Sequence, residues 1–264
     1  MTVTSQAADL LMQARRSRAL LPALPEAQRL RDAQAAYEIQ EAFIVRLCTD
    51  YATRAVGYKV GCTSQAAQQL LQADGPFYGR LLQAFVHPSP ARLRADQHTL
   101  RIIEPEFAFR MAADLPPTGT SYSQSQVAAA VETLLPAIEI VGSRYQDWLA
   151  VGAWSLIADN GVNEAWVQGP AYRGDWRAID LPNHNMAFSV NGKVVRHGRG
   201  DAVLGNPLNA LVWLANALAA QGKGLRAGDL VSTGVCCQVY KAEPGDRMRA
   251  DFGVLGVVDL ELTA

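Results

Sequence analysis

The first fifty residues carry apolar side chains at helical spacing, with little sign of strand-like alternation. Residues 5–20 are rich in alanine and leucine, and a second helical pattern covers about 26–53 after Pro25. Proline is tolerated in the first turn of a helix, so this start is consistent with a helix. Residues 1–54 are therefore expected to form an N-terminal helical segment that packs on a main domain of residues 55–264. Further helices are predicted at about 64–73, 125–135, 146–158 and 207–221.

Alternation of apolar and polar residues becomes frequent after residue 55 and predicts β-strands. Asn191-Gly192 lies between two such segments and indicates a tight hairpin. Residues 76–100 contain several prolines and glycines and are predicted to be irregular. Strands are expected at about 56–61, 101–109, 136–141, 188–190, 193–195, 230–234, 247–252 and 254–262. Helices that dominate the first half and strands that dominate the second indicate an α+β fold with a mixed, largely antiparallel sheet.

Two glutamates share one face of the predicted strand 101–109. Because successive side chains of a strand point to opposite faces, Ile103 and Phe107 are directed to one side, and Glu104 and Glu106 to the other. Neighbouring carboxylates repel each other and are costly to bury, so a positive group is expected between them. A hard divalent cation such as Mg²⁺ or Mn²⁺ prefers oxygen ligands. The alternative is a solvated strand face at a sheet edge.

A third acidic residue and a lysine also lie among apolar neighbours. Glu139 is on the face of its predicted strand opposite to Ile138 and Ile140. Three carboxylates on neighbouring strands would provide an oxygen ligand set with positions left open for substrate and water. Lys59 lies in a strand bracketed by glycines. Either its ammonium group reaches the surface, or burial lowers its pKa and makes it a proton-transfer group.

Composition and motif content exclude several classes of protein. The chain has 264 residues, 49% of them hydrophobic, and its net charge of −1 does not favour binding to nucleic acid or to an anionic membrane. No apolar run approaches the roughly 20 residues of a membrane span, and the N-terminus lacks a signal-peptide pattern. The four cysteines have no disulfide or metal-site spacing, so a reduced, cytoplasmic protein is expected. Dinucleotide, phosphate-loop and GxSxG nucleophile motifs are absent.

Six short motifs occur in order along the chain. They are Gly57-Tyr58-Lys59-Val60-Gly61, Glu104-Pro105-Glu106-Phe107-Ala108-Phe109, Pro136-Ala137-Ile138-Glu139-Ile140-Val141, Ala158-Asp159-Asn160, Val203-Leu204-Gly205-Asn206-Pro207-Leu208 and Gly228-Asp229-Leu230-Val231-Ser232-Thr233-Gly234. With these motifs the chain resembles the fumarylacetoacetate hydrolase superfamily, and more closely its 2-keto-4-pentenoate hydratase and 4-oxalocrotonate decarboxylase branch. The resemblance covers nearly the whole chain. It implies a distorted β-sandwich or roll with helices outside, and assembly into homo-oligomers.

The resemblance also assigns roles to particular residues. Glu104, Glu106 and Glu139 match the ligands of Mg²⁺ or Mn²⁺, and Lys59 matches a lysine beside the bound substrate. The residues implied to contact the substrate are Thr233, Gly234, Asn160 and Phe77.

The reaction that the resemblance implies first is hydration. A metal-dependent hydratase of aromatic catabolism would add water to a 2-hydroxy-2,4-dienoate and give a 4-hydroxy-2-oxo acid. One alternative is decarboxylation of a 2-oxo dicarboxylate such as 4-oxalocrotonate. A second alternative, from a different class, is a non-catalytic subunit in a complex with a related hydratase or decarboxylase.

Three positions depart from the pattern of the branch. Phe77 stands where the hydratases usually carry an acidic residue that could position water, and an apolar residue there is more like the decarboxylases. Gly142 replaces an aspartate, and Val162 replaces a serine. The loss of a carboxylate at Gly142 is expected to alter the surroundings of the metal. These changes fit a divergent substrate, a decarboxylase or an inactive member.

Overall fold

The computed structural model describes residues 2–28 and 30–264, which form two β-sheets with helices outside them. The strands are β1 (Ala55–Gly61), β2 (Phe77–Leu82), β3 (Val86–Pro88), β4 (Ala91–Arg94), β5 (Ile102–Met111), β6 (Val131–Val141), β7 (Asn163–Gln168), β8 (Asn185–Val190), β9 (Lys193–Arg199), β10 (Leu230–Val235), β11 (Tyr240–Lys241), β12 (Arg247–Asp251) and β13 (Val257–Thr263). The helices are α1 (Val3–Ser17), α2 (Ala33–Asp50), α3 (Gln65–Leu71), α4 (Gln124–Ala129), α5 (Ala153–Ala158) and α6 (Pro207–Ala220).

The two sheets are mixed and mostly antiparallel. The larger sheet has the order β2-β1-β10-β5-β6-β7-β3, with β11 paired to β5, and the smaller has the order β4-β13-β12-β8-β9. Over the described residues, the parallel pairings are β1 with β10, β3 with β7 and β4 with β13. The predicted α+β class with a mixed, largely antiparallel sheet is therefore confirmed.

The main hydrophobic core lies between the two sheets. Phe107 of β5 packs edge-on against Phe252 with ring centroids 5.0 Å apart, and Phe188 of β8 is buried in the same cluster. The apolar face predicted for the strand of Phe107 thus meets the smaller sheet. Glu104 and Glu106 consequently point to the opposite face of the larger sheet.

Most of that opposite face is also closed to water, because the larger sheet curls until β2, at one end, contacts β7 near the other. Leu81 of β2, Ala108 of β5 and Trp166 of β7 form a buried cluster inside the curl, each with no exposed surface. Polar side chains that point into this interior must find partners within the protein, since water cannot solvate them.

Helices cover the outside of the sheets. α1 and α2 pack on each other and bury Leu11 and Phe43 in a cluster that also contains Tyr145. The division of the chain at residue 54 stays a prediction. The segment Gly200–Ala220 is long and apolar enough to cross a membrane by those two criteria alone. Its helical part, α6, buries Leu211 and Leu214 in the main core.

Several predicted elements are wrong in extent. The helix predicted at 125–135 ends at Ala129, and the following residues belong to β6, which pairs with β5 along its length. A strand buried on both faces is a continuous apolar run, which periodicity cannot distinguish from a buried helix. The segment 76–100 is not irregular but contains β2, β3 and β4. These are end strands of their sheets, where proline and glycine are tolerated. The helix predicted at 146–158 is confined to α5.

Candidate metal and proton-transfer site

Three carboxylates meet inside the curl of the larger sheet. Glu104 and Glu139 are directly opposite each other on β5 and β6, and Glu106 follows two residues later on the same face of β5. One oxygen from each of the three side chains lies within 4.8 Å of the others. Glu106 and Glu139 have no exposed surface, whereas Glu104 is partly exposed. The solvated-edge alternative is therefore wrong, and Glu104 marks the side from which the cluster is accessible.

Lys59 is the positive group closest to these carboxylates in the described residues. Its Nζ atom lies 3.3 Å from Glu139 Oε1, and the residue is 2% exposed, so its ammonium group does not reach the surface. The Phe77 ring centroid lies 5.9 Å from the same nitrogen. A β-carbon at Gly61 would be 2.9 Å from the Phe77 ring and 3.2 Å from Lys59 Nζ. A glycine at position 61 thus leaves room for both side chains.

Neighbouring polar groups fix the orientation of two of the carboxylates. The Ser232 hydroxyl donates a hydrogen bond to Glu106 Oε2, and the Trp166 indole N–H donates to the Ser232 hydroxyl at 2.8 Å. The Asn163 side-chain amide donates to Glu139 Oε1 at 3.0 Å. Sequence reasoning gave neither Asn163 nor Trp166 a role, and it named Ser232 only as a member of the motif Gly228–Gly234. The strand register places Ser232 beside Lys59, which the sequence alone does not show.

Two carboxylate oxygens of the cluster accept no hydrogen bond from the described residues and can therefore serve as ligands of a cation. Glu106 Oε1 and Glu139 Oε2 are buried and accept no hydrogen bond from the part of the chain that the structure describes. Native proteins rarely leave buried polar atoms without a partner unless an ion or water completes the site. A cluster of three carboxylates with two free buried oxygens fits a hard divalent cation, for which carboxylate oxygens are the preferred ligands.

The pKa shifts of the charged side chains also favour a cation at this site. Burial, followed by the charge of Glu139, raises the pKa of Glu104 to about 7. The same causes raise the pKa of Glu106 well above its ordinary value. Burial lowers the pKa of Lys59, but the surrounding carboxylates outweigh it and the net pKa is raised. The expected net lowering of the Lys59 pKa is therefore wrong, because the carboxylates together have the larger effect.

Comparison with known proteins identifies the family. Residues 47–262 match the family model described as fumarylacetoacetate (FAA) hydrolase C-terminal. The chain belongs to this family.

Individual members of the FAA hydrolase family are similar over most of their length. The chain is 32% identical to 2-keto-4-pentenoate hydratase 1 of Dechloromonas aromatica over 257 residues, which is 97% of this chain and 95% of that protein. It is 31% identical to a 4-oxalocrotonate decarboxylase of Pseudomonas putida over 223 residues, covering 84% of this chain and 83% of that protein. A solved structure of 4-oxalocrotonate decarboxylase from Pseudomonas putida G7, complexed with magnesium and adipate, superimposes with a TM-score of 0.89 at 26% identity. It covers 98% of this chain and 97% of that one.

The resemblance also singles out Thr233, Gly234 and Asn160, and the side chains of Thr233 and Asn160 form hydrogen bonds with backbone groups. Thr233 donates its hydroxyl hydrogen bond to the Phe107 carbonyl at 2.8 Å. Gly234 has φ of 101°, and a β-carbon there would lie 2.1 Å from the Thr63 hydroxyl. Asn160 accepts from the Arg80 N–H at 2.6 Å and donates to the Arg80 carbonyl at 3.0 Å. The structure thus brings Lys59, Phe77 and the three glutamates together, while Thr233, Gly234 and Asn160 shape the surrounding backbone.

The structure shows what surrounds Gly142 and Val162, two of the positions that depart from the family pattern. A β-carbon at Gly142 would lie 1.9 Å from Glu164 Oε2, so the Glu164 carboxylate occupies the space beside that glycine. Val162 is buried and has φ of 58°, a conformation that β-branched residues rarely adopt. Its carbonyl accepts a hydrogen bond from the Gly142 N–H at 2.9 Å. Positions 142 and 162 therefore belong to one contact region, next to Asn163 and its bond to Glu139.

Proposed function

We propose that this member of the FAA hydrolase family is a hydratase that depends on a divalent metal ion. It adds water to a 2-hydroxy-2,4-dienoate of the 2-keto-4-pentenoate type and gives a 4-hydroxy-2-oxo acid, as expected in aromatic catabolism. The observation that carries the proposal is the buried cluster of Glu104, Glu106 and Glu139 with two free oxygens, beside the ammonium group of Lys59. The hydratase names of similar proteins support this choice of reaction.

Glu104, Glu106 and Glu139 would hold Mg²⁺ or Mn²⁺. A divalent cation held there supplies a Lewis acid for the oxygen at carbon 2 of a 2-oxo acid. Ser232 and Asn163 keep Glu106 and Glu139 in orientations that leave their second oxygens free.

Lys59 is assigned the proton transfer. Ketonisation of the dienol moves the proton of the 2-hydroxyl group to the carbon skeleton, and water then adds across the remaining conjugated alkene. The Lys59 Nζ atom can donate or accept one of these protons, because it is buried and held beside the carboxylates. Phe77 excludes water from one side of that nitrogen. Thr233, Gly234 and Asn160 are assigned to the walls of the substrate site.

A second candidate function is decarboxylation of a 2-oxo dicarboxylate. It is favoured by Phe77, an apolar residue where the hydratases usually have an acid, and by the similarity to the structure of 4-oxalocrotonate decarboxylase. Both reactions pass electrons to the same 2-oxygen, so the carboxylate cluster serves either. A non-catalytic role is disfavoured, because buried charges that do no chemistry are costly to keep.

The proposal also covers the substrate, the oligomeric state and the cellular compartment of the protein. The substrate is a small 2-oxo acid or its enol, and the protein forms a homo-oligomer, with a related hydratase or decarboxylase as a possible second partner. We assign the protein to the cytoplasm, which its four free cysteines support.

A turnover assay with purified protein and Mg²⁺ or Mn²⁺ tests the proposal on 2-hydroxypenta-2,4-dienoate and on 4-oxalocrotonate. The expected result is water addition to the first compound, lost in Glu106→Gln and retained in Glu132→Gln, which changes an exposed glutamate of β6. Release of CO₂ from 4-oxalocrotonate without hydration of the dienoate would replace the first function by the second. Turnover of neither compound would contradict both.

A further inference from the structure

A polar cavity lies on the other side of β7 from the carboxylate cluster. It has a volume of about 330 Å³ and is enclosed by the end of α1, the connection before β3, the residues before β5, and Glu164. Its walls contain four arginines and two histidines, namely Arg15, Arg16, Arg18, Arg144, His87 and His98. None of the three clustered glutamates lines it, and neither does Lys59. The cavity is therefore separate from the proposed catalytic site.

The positive charges of this basic cavity exceed the negative charges that face them. Arg16 pairs with Asp50, and Arg144 pairs with the buried Asp159. Arg15 and Arg18 form no ion pair with a carboxylate in the described residues, and Arg18 donates a hydrogen bond to the Asp96 backbone carbonyl. Among the described residues that line the cavity, Glu164 is the one acidic residue.

The carboxylate of Glu164 is already engaged within the protein. Glu164 Oε2 accepts a hydrogen bond from the Thr99 N–H at 2.9 Å, and the same oxygen lies 3.5 Å from His98 Nδ1. Glu164 therefore forms no close ion pair with Arg15 or Arg18, although its negative charge acts on Arg15 from a distance.

Buried donors without partners lie in the wall of the basic cavity. Arg144 is 1% exposed, and its Nη1 atom has no hydrogen-bond acceptor in the part of the chain that is described. The Nε atom of Arg15 is also buried and likewise has no hydrogen-bond acceptor in the described residues. The guanidinium carbon of Arg15 lies 4.4 Å from the Phe85 ring centroid, and the aromatic contact fixes the plane of the group. A guanidinium held in this way is prepared to bind an oxyanion through two parallel hydrogen bonds.

We propose that the basic cavity binds a small oxyanion, either the carboxylate of an organic acid or a phosphate group, between Arg15 and Arg144. The anion would accept hydrogen bonds from the free N–H groups and balance the charge of Arg15 and Arg18. Its binding does not depend on the carboxylate cluster, since the two sites share no lining residue.

Isothermal titration of the full chain with inorganic phosphate and, separately, with acetate tests this inference and distinguishes the two sources of oxyanion. We expect saturable binding of at least one of them. Arg15→Gln is expected to weaken that binding by about tenfold or more, because a charge-assisted pair of hydrogen bonds is lost. Glu106→Gln, which changes the carboxylate cluster, and Glu132→Gln, which changes an exposed residue, are expected to leave it unchanged.

Three results would overturn the proposal. They are the absence of saturable binding of both anions, undiminished binding by Arg15→Gln, and loss of binding in Glu106→Gln. If Arg15→Gln does not fold, the exposed Arg18→Gln decides the question. Removal of its unpaired charge is expected to weaken anion binding several-fold, and unchanged affinity in that variant would count against the cavity.

Discussion

The carboxylate of Glu164 occupies the space that any side chain at position 142 would need. The distance from an ideal β-carbon on Gly142 to Glu164 Oε2 is only 1.9 Å, and the Thr99 hydroxyl would be 2.8 Å away. The sequence led us to expect that Gly142 removes a carboxylate from this region. A carboxylate nevertheless lies beside position 142, and it belongs to Glu164 of the neighbouring strand β7. A glycine at position 142 and a glutamate at position 164 therefore depend on each other.

This dependence predicts a non-additive pair of substitutions. Gly142→Ala should lower the free energy of unfolding by roughly 1–3 kcal/mol, because its methyl group collides with the Glu164 carboxylate. Glu164→Ala should also be destabilising, since it leaves the partly buried Thr99 N–H without its acceptor. The double variant should lose less than the sum of the two, because the shorter side chain leaves space for the new methyl group. Urea unfolding of the four proteins measures the coupling.

Gly75 provides a matched control for this cycle. It lies in a turn with nothing within 4 Å of an added β-carbon, and its φ is not positive. Gly75→Ala should therefore leave the free energy of unfolding nearly unchanged or slightly higher. Strict additivity of the changes at positions 142 and 164 would contradict the proposed dependence between Gly142 and Glu164.

Glu164 also makes the free energy of unfolding depend on pH. Burial raises its pKa, but the neighbouring His98 and the charge of Arg144 outweigh burial, and the net pKa lies below the ordinary value of 4.5. A carboxyl group whose pKa is lower in the folded state stabilises the fold above its unfolded-state pKa. That contribution is lost as the pH falls through the folded-state value. The difference in unfolding free energy between the parent and Glu164→Gln should therefore shrink as the pH falls below about 4.5. Urea unfolding between neutral and acidic pH measures it, and a constant difference would exclude this role.

The fold class followed from the sequence, whereas the extent of several elements did not. The strand of Glu104 and Glu106 was recognisable because its alternation separates apolar from acidic residues. β6 was mistaken in part for a helix because both of its faces are buried, so its sequence is almost continuously apolar. β2 and β3 were missed because their glycine and proline residues are tolerated at the ends of a sheet.

The candidate site was predictable as a list of charged residues but not as a set of contacts. Alternation placed Glu104 and Glu106 on one face, the apolar neighbours of Glu139 and Lys59 made those two residues candidates, and the family resemblance then assigned roles to all four. The contact between Gly142 and Glu164 lies next to a register irregularity between β6 and β7, which no local sequence pattern predicts.

The bond from Ser232 to Glu106 predicts an effect on metal affinity. Ser232→Ala removes the hydroxyl that holds Glu106 Oε2, so the carboxylate can rotate away from the position that suits a cation. Loss of such a supporting hydrogen bond typically lowers metal affinity by about 10- to 100-fold. Titration of the metal-free protein with Mn²⁺ measures this. Ser189→Ala, a serine in the smaller sheet, is the control and should bind Mn²⁺ as the parent does. Equal affinity in all three proteins would contradict the role of Ser232.

Lys59→Met separates proton transfer from metal binding. Methionine nearly preserves the length and apolar stem of the lysine but has no ammonium group, so the three carboxylates remain while the proton donor is lost. The catalytic rate should fall by about 10²- to 10⁴-fold, the usual contribution of a positioned acid or base. Mn²⁺ should still bind, and more tightly if anything, because a positive charge 3.3 Å from Glu139 has been removed. Single-turnover kinetics with saturating metal, alongside a Mn²⁺ titration, distinguish the two effects. A parent-like rate would exclude Lys59 from the mechanism, whereas a slow rate that is restored by more metal would assign it to metal binding instead.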